Sequence, residues 1–160
     1  MLLPMTALFL LVPALAHGPQ EGPTHAASLD EHDRYELPDP LPAAEDCDAV
    51  VTIGTVEVLG SYNRDTIAAA LQDRAHAVQV CYQLGLDDAE HRAETGRLVF
   101  QTTLYPSNLK TAFTIGTNTL EHPEVEDCVA RVLKTTDLPA PVRGTITLSI
   151  PVDFSGRSPE

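Results

Sequence analysis

The sequence predicts an α+β domain with two layers, in which an antiparallel sheet carries two helices on one face. The stretch "GTITLSIPVDF" alternates apolar and polar residues without error, as a half-buried strand does. The stretches "IAAALQDRAHAVQVCY" and "PEVEDCVARVL" instead repeat apolar residues every three or four positions, which indicates amphipathic helices. The predicted order is strand, helix, hairpin, helix and strand. One-faced strands and one-striped helices bury their apolar surfaces against each other in two layers.

The folded part begins at residue 49 with "AVVTIGTVEVL", a β-branched, alternating stretch that predicts an additional strand ahead of the core. Asn63 is a favourable helix N-cap, and one continuous helix is predicted from there to a stop at Gly85. Cys81 lies three residues after Val78 on the apolar stripe of this helix. Its side chain is therefore predicted to face the core.

The second half of the domain holds the hairpin, the second helix and the last strand. "GRLVFQTTLY" and "LKTAFTIGT" are joined by the turn residues "PSN", which indicates a β-hairpin. Cys128 lies on the apolar stripe of the helix that follows Pro123, so it is also predicted to face inward. Pro151, inside the last strand, lacks a backbone donor, and this favours an edge position or a strand end.

The first 16 residues predict a cleaved export signal. The apolar run from Ala7 to Ala16 is too short to span a bilayer, and it ends in the small residues that signal peptidase accepts. We therefore expect cleavage after Ala16 and a periplasmic or secreted protein. No later stretch is long and apolar enough for a membrane helix, so the chain is not expected to span a membrane.

Residues 17–48 differ from the rest in composition. They hold nine acidic residues and five prolines against one arginine. Such a segment buries too little apolar surface to offset its ordering entropy, so it is predicted to be a disordered or extended tether. The predicted organisation is a signal peptide (1–16), an acidic tether (17–48), an α+β domain (49–156) and a short tail (157–160).

The formal net charge of −13 argues against nucleic acids and anionic membranes as partners, because both would repel the chain. Hydrolase motifs, phosphate-binding loops and dinucleotide fingerprints are absent from the sequence. No carboxylate pair lies in an apolar setting. The sequence therefore predicts a non-enzymatic protein with no catalytic residues and no cofactor.

Four interpretations compete for Cys81 and Cys128. A catalytic thiol needs a neighbouring base and partial exposure, and a metal site would have to recruit irregularly spaced histidines such as His76, His91 or His122. A disulfide fits export, burial and the adjacent helices together, because inward cysteines on neighbouring helices can reach the Cα separation of about 6 Å that the bond needs. The disulfide is the favoured interpretation, and two unpaired core thiols are the alternative.

Two further residues, both in the N-terminal region, are candidates for thiol chemistry or metal binding. Cys47 lies between acidic residues that raise the pKa of a thiol, and it is interpreted as either a free thiol or half of an intermolecular disulfide. Cleavage after Ala16 would make His17 the first residue, where its amino group and ring together can chelate copper. An exported copper-binding or copper-dependent protein is therefore the alternative function.

A family resemblance adds to these inferences. The succession "CYQLGL", "GRLVF", "TLEHPEVEDCVARVL", "LPAP" and "ITLSIPVDF", within about Gly60 to Gly156, resembles the AgmX/PglI C-terminal domain. That family is a TonB-C-like module of cell-envelope proteins in gliding bacteria. The resemblance implies a core of helix, hairpin, helix and strand, and a non-catalytic role outside the cytoplasm in gliding or envelope transport, through binding to other envelope proteins.

Partner binding is expected to occur by strand addition at a sheet edge, since an unpaired edge offers free main-chain donors and acceptors. The predicted templates are the hairpin and the strand from Thr145 to Phe154. On that strand Thr145, Thr147 and Ser149 face outward and form the predicted partner-binding edge. A homodimer is a further assembly that the sequence allows.

Overall fold

The strands and helices follow the predicted order, but the first predicted strand is two strands and the first predicted helix is two helices. The computed structural model describes residues 35–88, 92–107, 110 and 112–156; the predicted signal peptide, His17 and the tail lie outside these ranges. A 3₁₀ turn at Ala44–Asp46 precedes the main elements. These are β1 (Ala49–Ile53), β2 (Glu57–Leu59), α1 (Arg64–Gln72), α2 (Ala75–Asp87), β3 (Gly96–Leu104), β4 (Thr114–Asn118), α3 (Pro123–Thr135) and β5 (Ile146–Gly156).

The sheet is antiparallel and is built around β5. One side of β5 pairs with β3, and its other side pairs with β2 near its start and with β1 near its end. β4 pairs with the far side of β3, which gives the order β1-β5-β3-β4. The predicted inward residues of β5 are all buried: Ile146, Leu148, Ile150, Val152 and Phe154. The residues between them are exposed or half-buried, so one face of the sheet meets solvent.

The helices supply the second layer. α2 contacts both β1 and α3, and the buried residues of all three helices join those of β3 and β5 in a single core. The predicted two-layer α+β fold is therefore confirmed. None of the helices in the described ranges is long and apolar enough to cross a membrane.

The predicted single helix from Asn63 to Gly85 is in fact two helices. Asn63 caps α1 as predicted, its side chain accepting from the backbone N–H of Asp65 at 2.9 Å. The chain then turns at Asp73 and Arg74, where the N–H of Arg74 donates to the carbonyl of Leu71 at 3.0 Å. Gly85 does not end α2, which continues to Asp87. Gly85 is therefore not a helix stop. It lies inside α2, where helix packing needs a residue without a side chain.

The predicted disordered tether is also corrected over residues 35–48, which we name the N-terminal strap. The strap lies against the helix layer, with Tyr35 only 6% exposed and Cys47 only 3% exposed. Arg131 of α3 donates to the carbonyl oxygen of Tyr35, and Nε2 of His76 in α2 lies 2.7 Å from the carbonyl oxygen of Pro42. A few anchoring contacts therefore order a segment whose composition alone argues for disorder.

The predicted partner-binding edge on the last strand is wrong, because β5 is a central strand. Thr147 lies between Leu59 and Thr103, and Ser149 lies between strands β2 and β3 in the same way. The third residue of that set, Thr145, is exposed just before the strand begins. A strand with neighbours on both sides has no free main-chain edge for a partner.

Pro151 favoured an edge position in the sequence, but the sheet accommodates this proline in a central strand. It lies opposite the gap between β1 and β2, where the N–H of Gly54 donates to the carbonyl oxygen of Pro151 at 2.9 Å. The pairing of β1 with β5 ends at Val152, and that of β2 begins at Ser149. A residue without an N–H is tolerated in this central strand because the neighbouring strand is interrupted beside it.

Candidate functional site

The two inward cysteines form the predicted disulfide. The sulfurs of Cys81 in α2 and Cys128 in α3 are 2.05 Å apart, with the Cα atoms 5.7 Å apart. The exposed fractions are 0% for Cys81 and 1% for Cys128. A buried disulfide holds no thiolate, so this pair serves neither as a nucleophile nor as a metal ligand. Its place is structural, joining the two helices that cover the sheet.

Tyr82, next to the disulfide, is a core residue with a satisfied hydroxyl. Its ring meets the ring of Phe154 edge-on, with centroids 5.1 Å apart. Its hydroxyl donates to the carbonyl oxygen of Glu94 at 3.0 Å, in the segment that follows α2. Burial raises the pKa of this phenol. The conspicuous "CY" pair of the sequence is thus a packing unit rather than a reactive one.

Cys47 is a free thiol of the strap, and it is buried. Its sulfur lies 3.8 Å from the carbonyl oxygen of Ala43, and only 3% of the residue is exposed. Burial raises the pKa of this thiol first, and the carboxylates of Asp46, Asp87 and Asp48 raise it further. Both effects oppose an intermolecular disulfide, which requires an accessible thiolate.

The two described histidines that were weighed as metal ligands have structural contacts instead. Nδ1 of His122 accepts from the backbone N–H of Val125 at 3.4 Å and so caps α3, while His76 holds the strap at Pro42. Within the described ranges, no group of three or more His, Cys, Asp or Glu side chains is placed to hold a metal ion. His17 and His91 lie outside those ranges, so copper binding by His17 stays a prediction.

The two outer edges of the sheet differ in how they are covered. At β1, the backbone N–H of Ala49 donates to Oε1 of Gln83 at 2.8 Å, and its carbonyl accepts from Nε2 of Gln79 at 2.9 Å. These two side chains of α2 form hydrogen bonds with main-chain groups that an added strand would have to pair with. The edge at β1 is therefore partly closed by the adjacent helix.

β4 forms the other edge and is open. All five of its residues, from Thr114 to Asn118, are exposed, and in the described part of the chain it pairs only with β3. It carries no charge and no proline. The register shifts between Val99 and Phe100, which marks a bulge where Gly116 lies. β4 is thus the candidate interaction edge, and the hairpin is the one predicted template that the topology leaves accessible.

Sequence reasoning included this hairpin among its templates but did not single out β4. The stretch "TIGTN" has weak alternation and little apolar content, which is a usual sign of an exposed edge strand. Comparison with known proteins gave no match, whether with protein-family models, curated proteins or solved structures. The resemblance to the AgmX/PglI C-terminal domain therefore stays a prediction that rests on the quoted residues.

Proposed function

We propose that this protein is an exported, non-enzymatic module of the cell envelope that binds a partner protein by strand addition at β4. The observation that carries the proposal is the open, uncharged edge between Thr114 and Asn118. An extended partner segment laid along this edge would gain main-chain hydrogen bonds, which supply affinity in strand addition. The resemblance to a TonB-C-like envelope module agrees with this mode of binding.

Export is supported by the sequence of the N-terminus and by the cysteine chemistry. The run that ends at Ala16 has the form of a signal peptide. Disulfides persist mainly in oxidising compartments, and the bond between Cys81 and Cys128 is the kind of buried bridge that secreted domains use. The proposed location is the periplasm or the exterior of the cell.

The choice of β4 rests on a comparison of the two edges. In β1, the side chains of Gln79 and Gln83 already bind the main-chain groups of Ala49. The neighbouring strand β2 is only three residues long. Natural proteins blunt sheet edges in these ways, by covering them or by keeping the strand short. β4 lacks a covering element in the described ranges and has five residues for a partner to pair with.

The test compares matched lysine substitutions on the two edges. A charged side chain on an edge strand opposes the approach of another strand, so Thr117→Lys on β4 should abolish capture of a partner from envelope extract. Thr52→Lys on β1 is the control, because it places the same exposed charge on the covered edge. In the captured complex, amide hydrogen exchange should slow at residues 114–118.

Two results would contradict the proposal. One is a partner that binds the Thr117→Lys variant as well as it binds the unmodified protein. The other is a complex in which the amides of β4 exchange as fast as in the free protein.

A further inference from the structure

A cavity of about 440 Å³ opens between α2, α3 and the N-terminal strap. It lies on the helix layer, whereas β4 belongs to the sheet, so it is a separate feature from the proposed interaction edge. Its volume falls in the range of about 300–1,000 Å³ that is common for small-molecule sites. The cavity therefore has room for a small organic ligand.

The inner wall of the cavity is apolar. Ala77 of α2 and Val132 of α3 are buried residues that line it, and Leu37 of the strap closes one side. Cys128 also lines it, so the disulfide backs the cavity and fixes the distance between the two helices. This rigid, apolar wall suits the hydrocarbon part of a ligand.

Two arginines line the same cavity. Arg74 lies at the turn before α2, and its guanidinium makes no hydrogen bond or ion pair with the residues that the structure describes. Arg131 lies on α3 and holds the strap through the carbonyl oxygen of Tyr35. The planar donors of arginine match a carboxylate group. Such a pair stands out in a chain whose formal net charge is −13.

Glu36 restricts the charge that a ligand of this cavity can carry. It lies on the strap and also lines the cavity, so the described lining residues comprise two cations and one anion, with a net charge of +1. Glu36 would repel a dianion such as a phosphate monoester more strongly than a single carboxylate, and one carboxylate matches the net charge of these described residues. We propose that the cavity binds a small organic monoanion with one carboxylate and an apolar body, such as a medium-chain fatty acid.

Decanoate is the probe for a calorimetric titration of the purified full-length protein. Decanoate should bind, and decylamine and 1-decanol should bind at least about tenfold more weakly, because they lack the charge that the arginines recognise. The Arg74→Gln variant should weaken decanoate binding about fivefold to tenfold, since one charge-assisted contact is lost. Arg143→Gln removes an exposed arginine that does not line the cavity and should leave the affinity unchanged.

A second measurement locates the ligand without a substitution. In two-dimensional NMR spectra, decanoate should shift the amide signals of Ala77 and Val132, and should leave those of β4 in place. The proposal is overturned if decanol binds as tightly as decanoate, if Arg74→Gln binds decanoate as the unmodified protein does, or if the shifted signals lie away from the cavity. Since β4 plays no part in this titration, its outcome is independent of the strand-addition test.

Discussion

Gly85 of α2 lies directly against Val125 of α3, so that a Cβ atom at Gly85 would come within 2.5 Å of Cγ2 of Val125 and 2.9 Å of the Cβ of Ala93. The carbonyl of Gly85 also accepts from the N–H of Ala93 at 2.8 Å. The two helices approach this closely because the position has no side chain, and the same approach brings Cys81 and Cys128 together.

The Gly85→Ala variant should lower the free energy of unfolding by about 1–3 kcal/mol, the usual cost of overpacking a core. In an unhindered helix the same change would stabilise by about 0.5–1 kcal/mol, so the sign of the effect identifies the contact. Urea denaturation measures it. Gly156→Ala is the control, because the nearest atom there is at an ordinary 3.6 Å from Leu86 and little change is expected. A stabilised Gly85→Ala protein would contradict the close packing.

Replacing Cys81 and Cys128 together by alanine should lower the free energy of unfolding by about 4 kcal/mol, from the loss of a cross-link that closes a loop of this length. The sequence separation of the bridge is 47 residues. Urea denaturation with and without dithiothreitol checks this: the reductant should destabilise the unmodified protein and leave the double variant unchanged. Non-reducing peptide mapping should recover the two cysteine peptides joined. Labelling of either cysteine by a thiol reagent in the native secreted protein would refute the bridge.

Cys47 should react slowly with iodoacetamide in the native protein. Burial and the nearby carboxylates raise the pKa of its thiol above the ordinary value of 9.0, so the reactive thiolate is scarce at pH 8. We expect the alkylation rate to rise at least about tenfold in urea, where both effects are lost. Mass spectrometry follows the modification. Equal rates in the native and unfolded protein would show that Cys47 is accessible in the folded protein.

The ion pair on the open sheet face should contribute to stability in a pH-dependent way. Arg97 donates to both carboxylate oxygens of Asp153, at 2.6 and 2.9 Å, and these hydrogen bonds hold the pKa of Asp153 below its usual 3.8. Because the folded pKa is the lower one, the stabilisation is present above the unfolded pKa. It is lost as the pH falls through the folded pKa.

Asp153→Asn should therefore be less stable than the unmodified protein at neutral pH, and the difference should vanish at the acid end of a urea titration series. The effect should be small because both side chains are largely exposed. Arg97→Gln should lower the stability at neutral pH in the same way. The double variant should be no less stable than either single variant. A difference that grows on acidification would contradict the assigned sign.

The alternation of β5 fixed which residues face the core, but alternation carries no information on which strands lie beside a given strand. For that reason the inward set from Ile146 to Phe154 was predicted correctly and the edge position was not. The helix break after Gln72 was invisible for a similar reason. Leu71 and Val78 are seven positions apart, a spacing that fits one continuous helix as well as two.

The strap and the cavity could not be predicted from the sequence, for a different reason. Average composition described residues 17–48 as a single acidic segment, whereas a few side chains decide the packing of its last part. Tyr35 is buried there, and its hydrogen-bond partners lie far along the chain, at Asp88 just after α2 and at Arg131 in α3. Arg74 and Arg131 are likewise 57 positions apart in the sequence, and only the helix packing brings them to one cavity.

The interruption of the sheet edge beside Pro151 has a consequence for assembly. An edge divided into two short strands, with Gln79 and Gln83 bound at one of them, offers no continuous template on that side. Strand addition at β4 would then extend the sheet in a single direction. Growth by this route therefore ends after one partner or one symmetric pair, and it does not propagate into a fibre.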